Sequence, residues 1–207
     1  MDILEKQMIR KYTNIVFDLG GVLFARDRSK CDPEFMEFFS FVAKTGTPEF
    51  WDEYDRGVLS FDEVKEEICR FRRCDRTTCD RMVAQAIDMQ ETIAPTAKLI
   101  AELKEAGYRL YVLSNMSREF IDFLRLKPVY GYFDGDVVSC EEGTIKPERR
   151  IYEILLSRFG LDASATFFID DRQANIDGAS AVGIAGFLFD CSDREAACAE
   201  LRRLLLG

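Results

Sequence analysis

Short apolar runs recur along the chain and alternate with stretches of helical period. Ile15-Val16-Phe17, Leu110-Tyr111-Val112-Leu113, Phe167-Phe168-Ile169 and Phe187-Leu188-Phe189 have the unbroken hydrophobicity of buried strands. Over 95–106, Leu99, Ile100 and Leu103 share a face and Gly107 supplies a stop. Over 148–159, Ile151, Ile154, Leu155 and Phe159 do the same before Gly160. Strand–helix alternation of this kind predicts an α/β fold, a parallel sheet wrapped by helices. In such sheets ligands sit beyond the carboxyl ends of the strands, so the polar residues just after each strand carry the functional information.

The stretch 32–92 breaks the alternation. It has no buried-strand run and reads as several helices. Asp32-Pro33 and Thr47-Pro48 look like helix starts, Ser60 with Glu63 forms a capping box, and Thr77 with Asp80 a weaker one. A helical insertion after the first strand is expected, placed as a lid over the strand ends.

Composition narrows the chemistry. The 207 residues are 47% apolar, enough for a folded core, and carry a net charge of −9. That balance argues against a nucleic-acid partner, which would need a basic face. No apolar run is long enough to span a bilayer, and the charged N-terminus has no signal-peptide stretch, so no membrane partner and a cytoplasmic location are expected. The chain has no histidine, which removes Ser-His-Asp triads, Cys-His pairs and His-ligated zinc together. Its seven cysteines include no Cys-x-x-Cys pair, and none is followed six residues later by arginine, as a cysteine phosphatase requires. Cys69, Cys74 and Cys79 recur every five residues, which is no zinc spacing, and reduced thiols are expected. Catalysis must then rest on carboxylates, lysine, hydroxyls, backbone amides and metal.

Four strand ends or helix starts offer those groups. Asp18 leaves the first strand into Gly20-Gly21, a turn with little bulk around an exposed carboxylate. Ser114-Asn115 follows the second run and could hold phosphate oxygens. Lys146 precedes Pro147 at a helix start, where its ammonium could neutralise both a phosphate and an attacking carboxylate. Asp170-Asp171 places adjacent carboxylates after a hydrophobic strand, a costly arrangement unless a hard cation such as Mg²⁺ sits there.

Asp, Ser, Lys and Asp-Asp in this order resemble the four motifs of the haloacid dehalogenase-like (HAD) hydrolase superfamily, over about 14–190. Phe-Asp-Leu-Gly-Gly-Val at 17–22, Arg56-Gly57, Leu-Ser-Asn at 113–115, Lys-Pro-Glu-Arg-Arg-Ile-Tyr at 146–152 and Asp-Asp-Arg-Gln-Ala-Asn-Ile-Asp-Gly-Ala at 170–179 look like its bacterial sugar-phosphatase branch. That branch includes α-D-glucose-1-phosphate phosphatase. The resemblance implies a Rossmann-like doubly wound core over 1–27 plus 93–207 and a helical cap over 28–92. It implies an Mg²⁺-dependent phosphatase acting on a small phosphorylated metabolite, a sugar phosphate such as glucose 1-phosphate, as a monomer or small homo-oligomer. Asp18 would be the nucleophile and a metal ligand, with the Gly20 carbonyl a second ligand. Asp171 would bind metal directly, and Asp170 through water or Lys146. Ser114, the Asn115 backbone, Lys146 and the turn at Gly20 and Gly21 would hold the phosphate.

One departure stands out. Many HAD phosphatases carry a second Asp two residues after the nucleophile as general acid, and here that position is Gly20. From the cap, Trp51, Tyr54 and Arg56 are candidates for meeting substrate, with cap core the favoured reading for Trp51 and Tyr54. Asp27 reads as a hinge residue facing the site or as part of an exposed loop. Two rivals stay open at this stage: a 2-haloacid dehalogenase, and a non-catalytic HAD-like binding protein.

Overall fold

In a computed structural model, described over residues 10–42 and 47–207, the apolar runs assemble one parallel sheet. Most of the charged N-terminus, residues 1–9, lies outside that description. Five strands, β1 (Asn14–Phe17), β4 (Arg109–Ser114), β5 (Gly135–Val138), β6 (Thr166–Asp170) and β7 (Ala185–Leu188), lie in the order β5-β4-β1-β6-β7. β1 is central, with Phe17 in register with Val112 of β4 and with Ile169 of β6. Asp18, Ser114 and Asp170 therefore arrive side by side at one edge of the sheet.

Alternate residues of each strand serve two separate cores, as a strand's twofold period requires. Ile15, Phe17, Leu110, Val112, Phe167 and Ile169 face α5 (Ala94–Glu105), α6 (Arg118–Arg125) and α10 (Arg194–Leu205). Val16, Tyr111, Leu113 and Phe168 face α8 (Arg149–Phe159) and α9 (Gln173–Ser180). Helices on both faces of a parallel sheet make the expected doubly wound α/β fold.

Between β1 and α5 the chain leaves the sheet through a two-stranded antiparallel ribbon, β2 (Phe24–Arg26) with β3 (Gln90–Thr92). Its arms carry α1 (Pro33–Phe38), α2 (Glu49–Asp55), α3 (Phe61–Arg72) and α4 (Arg76–Asp88). These helices bury their own cluster around Phe35, Trp51, Tyr54, Val64, Ile68, Met82 and Val83, to which Phe120 of α6 adds a contact from the sheet side. The Ser60–Glu63 capping box forms as expected.

Three sequence expectations are corrected. Gln90–Thr92 is a strand, because its pairing is to β2, distant in sequence, and local pattern cannot register it. α4 is capped by Asp75, whose side chain accepts from Thr78 N, so Thr77 lies inside the helix. The last apolar run is an edge strand: Leu188 is 47% exposed, and the buried Phe189 lies just past the strand end. β5 was not expected, since its Gly-Asp start carries no apolar run.

Candidate active site

Everything needed for a charged site converges at the carboxyl ends of β1, β4 and β6. Asp18 N donates to the Ile169 carbonyl at 2.9 Å, extending the ladder one residue and fixing the Asp18 backbone. Its Oδ1 accepts from Ser114 Oγ at 3.1 Å and from Lys146 Nζ at 2.8 Å. The buried Lys146 ammonium uses its other two hydrogens on the Leu113 carbonyl at 2.9 Å and Asp170 Oδ2 at 2.6 Å. Its backbone is clasped by the Asn115 side chain, which accepts from Lys146 N at 2.7 Å and donates to Lys146 O at 3.0 Å. The Lys146–Pro147 peptide is cis. Asn115 thus positions the lysine through its side chain, a role the sequence did not suggest.

Asp170 is fully buried and saturated. Besides Lys146 it accepts from Arg172 N at 2.8 Å and from Asn175 Nδ2 at 2.9 and 3.0 Å. Asn175 stands inside the quoted 170–179 motif, five residues on, but only the turn into α9 shows what it holds. Asp171 is half-buried, with Oδ2 contacted by Cys191 Sγ at 3.4 Å, and the same sulfur lies 3.5 Å from the Gly21 carbonyl. Gly21 has φ +77°, and a Cβ there would meet Asp171 Oδ2 at 2.7 Å, so this turn requires glycine. At Gly20, by contrast, a Cβ would meet no heavy atom within 4 Å.

One ammonium faces three carboxylates. Asp18, Asp170 and Asp171 each offer an oxygen within 4.8 Å of the others. Burial pushes Asp18 up to about 7; Lys146 opposes the rise, and the charges of Asp170 and Asp171 add to it. Asp171 is raised by burial and by Asp170. Burial alone would lower Lys146, but Asp170 and Asp18 outweigh it and hold the ammonium charged. Two negative charges are left uncompensated in a low-dielectric site. An all-oxygen donor set with that deficit fits a hard divalent cation such as Mg²⁺.

The cap residues fall into different roles. Trp51 is buried in the cap cluster, with ring centroids 5.5 Å from Phe41, 5.7 Å from Tyr54 and 6.3 Å from Phe39. Tyr54 donates to Glu119 Oε2 of α6 at 2.5 Å. Arg56 makes a bidentate pair with Glu148, at 2.9 and 2.7 Å, and holds that carboxyl down at about 2. Glu148 is two residues from Lys146, so Arg56 ties the cap to the lysine loop. Gly57, at φ +76°, packs so close to α7 (Ser139–Glu142) that a Cβ would lie 2.3 Å from the Cys140 carbonyl. Asp27 accepts from Ser29 N at 3.0 Å and Oγ at 2.6 Å in an exposed turn.

Asp55, beside Arg56-Gly57, drew no attention in the sequence. Its carboxyl accepts from the Ser117 amide and lies in the field of Arg172, which follow Ser114 and Asp171 by three residues and one. Burial and nearby Asp52 push it up to about 7.

Strand-end Asp, Ser, Lys and Asp-Asp on a doubly wound sheet define a hydrolase of one family. The chain belongs to the haloacid dehalogenase-like hydrolases, whose family model matches residues 12–183. The sesquiterpene phosphatase astK of Aspergillus oryzae is 27% identical over 201 residues, 96% of this chain and 99% of that one. The D-ribitol-5-phosphate phosphatase of Bacteroides thetaiotaomicron is 27% identical over 188 residues, 84% of this chain and 90% of that protein. An HAD-like family hydrolase from Porphyromonas gingivalis superposes with TM-score 0.76 at 27% identity, covering 95% of this chain and 99% of its own. The protein is an HAD-like hydrolase with an acidic cluster at its centre, and the relatives it aligns with over most of its length include phosphatases. Among the described residues no helix is long and apolar enough to cross a membrane.

Proposed function

We propose that the protein hydrolyses a small, hydroxyl-rich phosphate monoester, a sugar phosphate such as glucose 1-phosphate, with Mg²⁺ and through a phosphoryl group carried on Asp18. The observation that carries this reading is the Asp18–Ser114–Lys146 contact beside Asp170 and Asp171. A carboxylate oxygen of Asp18 attacks phosphorus, a P–O bond to Asp18 forms, and the bond to the leaving oxygen breaks. Ser114 and Lys146 stand within hydrogen-bond reach of the attacking carboxylate and bind phosphate oxygens as they approach. Water then attacks the acyl phosphate and frees Asp18 and inorganic phosphate. Asp18 and Asp171, with the Gly20 carbonyl, would hold the metal, and Asp170 supports it while bonded to Lys146. Bound there, Mg²⁺ supplies charge neutralisation between carboxylates and phosphate, which otherwise repel strongly.

The surroundings support a hydrophilic leaving group. A cleft of about 640 Å³ lies against the β2–β3 ribbon, lined by Arg26, Asp27, Glu91, Thr92, Ser192 and Arg194 among others, and one further lining residue, Cys191, contacts Asp171. Such a lining suits hydroxyls better than a hydrocarbon chain. The ribitol-phosphate relative acts on a substrate of that kind, and the sequence resemblance points the same way.

The test is a set of paired assays. Phosphate release from p-nitrophenyl phosphate is expected, abolished by EDTA and restored by Mg²⁺. Chloride release from chloroacetate without metal would make the protein a dehalogenase. Neither product would leave a binding protein.

A further inference from the structure

Three thiols meet where α3 hands over to α4, far in sequence from the carboxylate cluster. Helix α3 ends in a left-handed turn at Arg73, φ 54° and ψ 44°, and the N–H groups of Arg73 and Cys74 both converge on the Cys69 carbonyl, the latter at 3.2 Å. Turns of this kind ordinarily take glycine at the left-handed position and bring the flanking side chains into contact. Here arginine occupies it, the one non-glycine with positive φ among the described residues. The flanking side chains here are Cys69 and Cys74, and the Cys69 thiol lies near enough to those of Cys74 and Cys79 to raise both.

We propose that Cys69 and Cys74 form a reversible redox modification site in the cap, closing to a disulfide by exchange with an oxidised low-molecular-weight thiol such as glutathione disulfide. A disulfide needs its two Cα atoms close together, and the 3.2 Å bond from Cys74 N to the Cys69 carbonyl closes the turn between these two residues. One cysteine sulfur attacks the glutathione disulfide and releases one glutathione thiol. The second sulfur attacks the mixed disulfide and releases another. The two cysteines lose two electrons and two protons, and the oxidant gains them. The bridge cross-links the ends of the strained turn and fixes the α3–α4 junction.

Cys79 is the competing partner, and the structure disfavours it. It is fully buried and its thiol donates to the Lys65 carbonyl at 3.6 Å; burial raises the thiols of Cys74 and Cys79 alike, that of Cys79 to about 12. Cys69 and Cys74 are both partly exposed, within reach of a reagent.

The sequence makes the pairing directly readable. Trypsin cleavage at Lys65, Arg70, Arg73, Arg76 and Arg81 puts each of the three cysteines in its own peptide. The full chain is incubated with glutathione disulfide, alkylated, digested and mapped by mass spectrometry, with and without later dithiothreitol. The expected product is peptide 66–70 joined to 74–76, lighter by two hydrogens than the sum and separated by dithiothreitol, and absent from Cys74→Ser. A 66–70 link to 77–81, stable glutathione adducts, or alkylated free thiols throughout would each overturn the assignment.

Discussion

Asp18 and Asp171 are held above the ordinary carboxylate range by burial and by the charge of Asp170, with a single lysine among three carboxylates. The same crowding limits how the leaving oxygen is protonated, because Gly20 offers no acid. General acid assistance is worth roughly 10²–10⁴-fold, so its absence shows in a series of phosphate esters. The logarithm of kcat/KM should fall steeply as leaving-group pKa rises, with glucose 1-phosphate above glucose 6-phosphate. A flat plot under chemistry-limited conditions would mean that another group donates the proton. Asp55 gives a second residue-level expectation. Its folded pKa of about 7 lies above its ordinary value of 3.8, so the folded state prefers the protonated form. Stability relative to the ionised unfolded chain is then full below about pH 4 and lost as pH rises toward 7. Asp55→Asn keeps an acceptor for the Ser117 amide and removes the titration. Its melting temperature should exceed the wild type's at pH 8, with the gap closing toward pH 4. A constant gap across that range would contradict the burial of an ionisable Asp55.

At the scale of elements, the cap is fastened to the core at named points: Arg56 on Glu148, Tyr54 on Glu119, Gly57 on the Cys140 carbonyl, and Ser139 Oγ on the Asp55 carbonyl. The Arg56 pair lies on the loop that carries Lys146, so it links cap position to the lysine end of the site. Arg56→Ala should change the ratio of rates between sugar phosphates more than the rate on p-nitrophenyl phosphate, which has little leaving group for the cap to hold. Equal loss on every substrate would reduce Arg56 to a fold-stabilising contact. Trp51→Ala works through packing instead. Truncating a buried aromatic of this kind costs about 3–5 kcal/mol, which urea denaturation would register as a shift of the midpoint.

Over the whole molecule, legibility followed the range of the interactions. The buried strands and amphipathic helices are local patterns, and so are the strand-end residues Asp18, Ser114 and Asp170, which β1, β4 and β6 bring together because parallel register aligns their ends, and Lys146 in the loop before α8. The β2–β3 ribbon and edge strand β5 were not legible, since their pairings join distant or apolar-poor segments. Nor was the division of labour at the site: Asn115 clasping the lysine backbone and Arg56 paired with Glu148 depend on contacts across tens of residues, and Asn175 saturating Asp170 depends on the turn into α9. The account as a whole turns on a carboxylate that becomes covalently bonded to phosphorus. Asp18→Asn keeps the shape and hydrogen-bond acceptor of that residue while removing its nucleophilicity. The most direct measurement is the rate of phosphate release from p-nitrophenyl phosphate, with Mg²⁺, for wild type and Asp18→Asn of matching circular dichroism. The account predicts a fall of about a thousandfold or more, the scale on which loss of a nucleophile is felt. A variant within tenfold of wild type would contradict it.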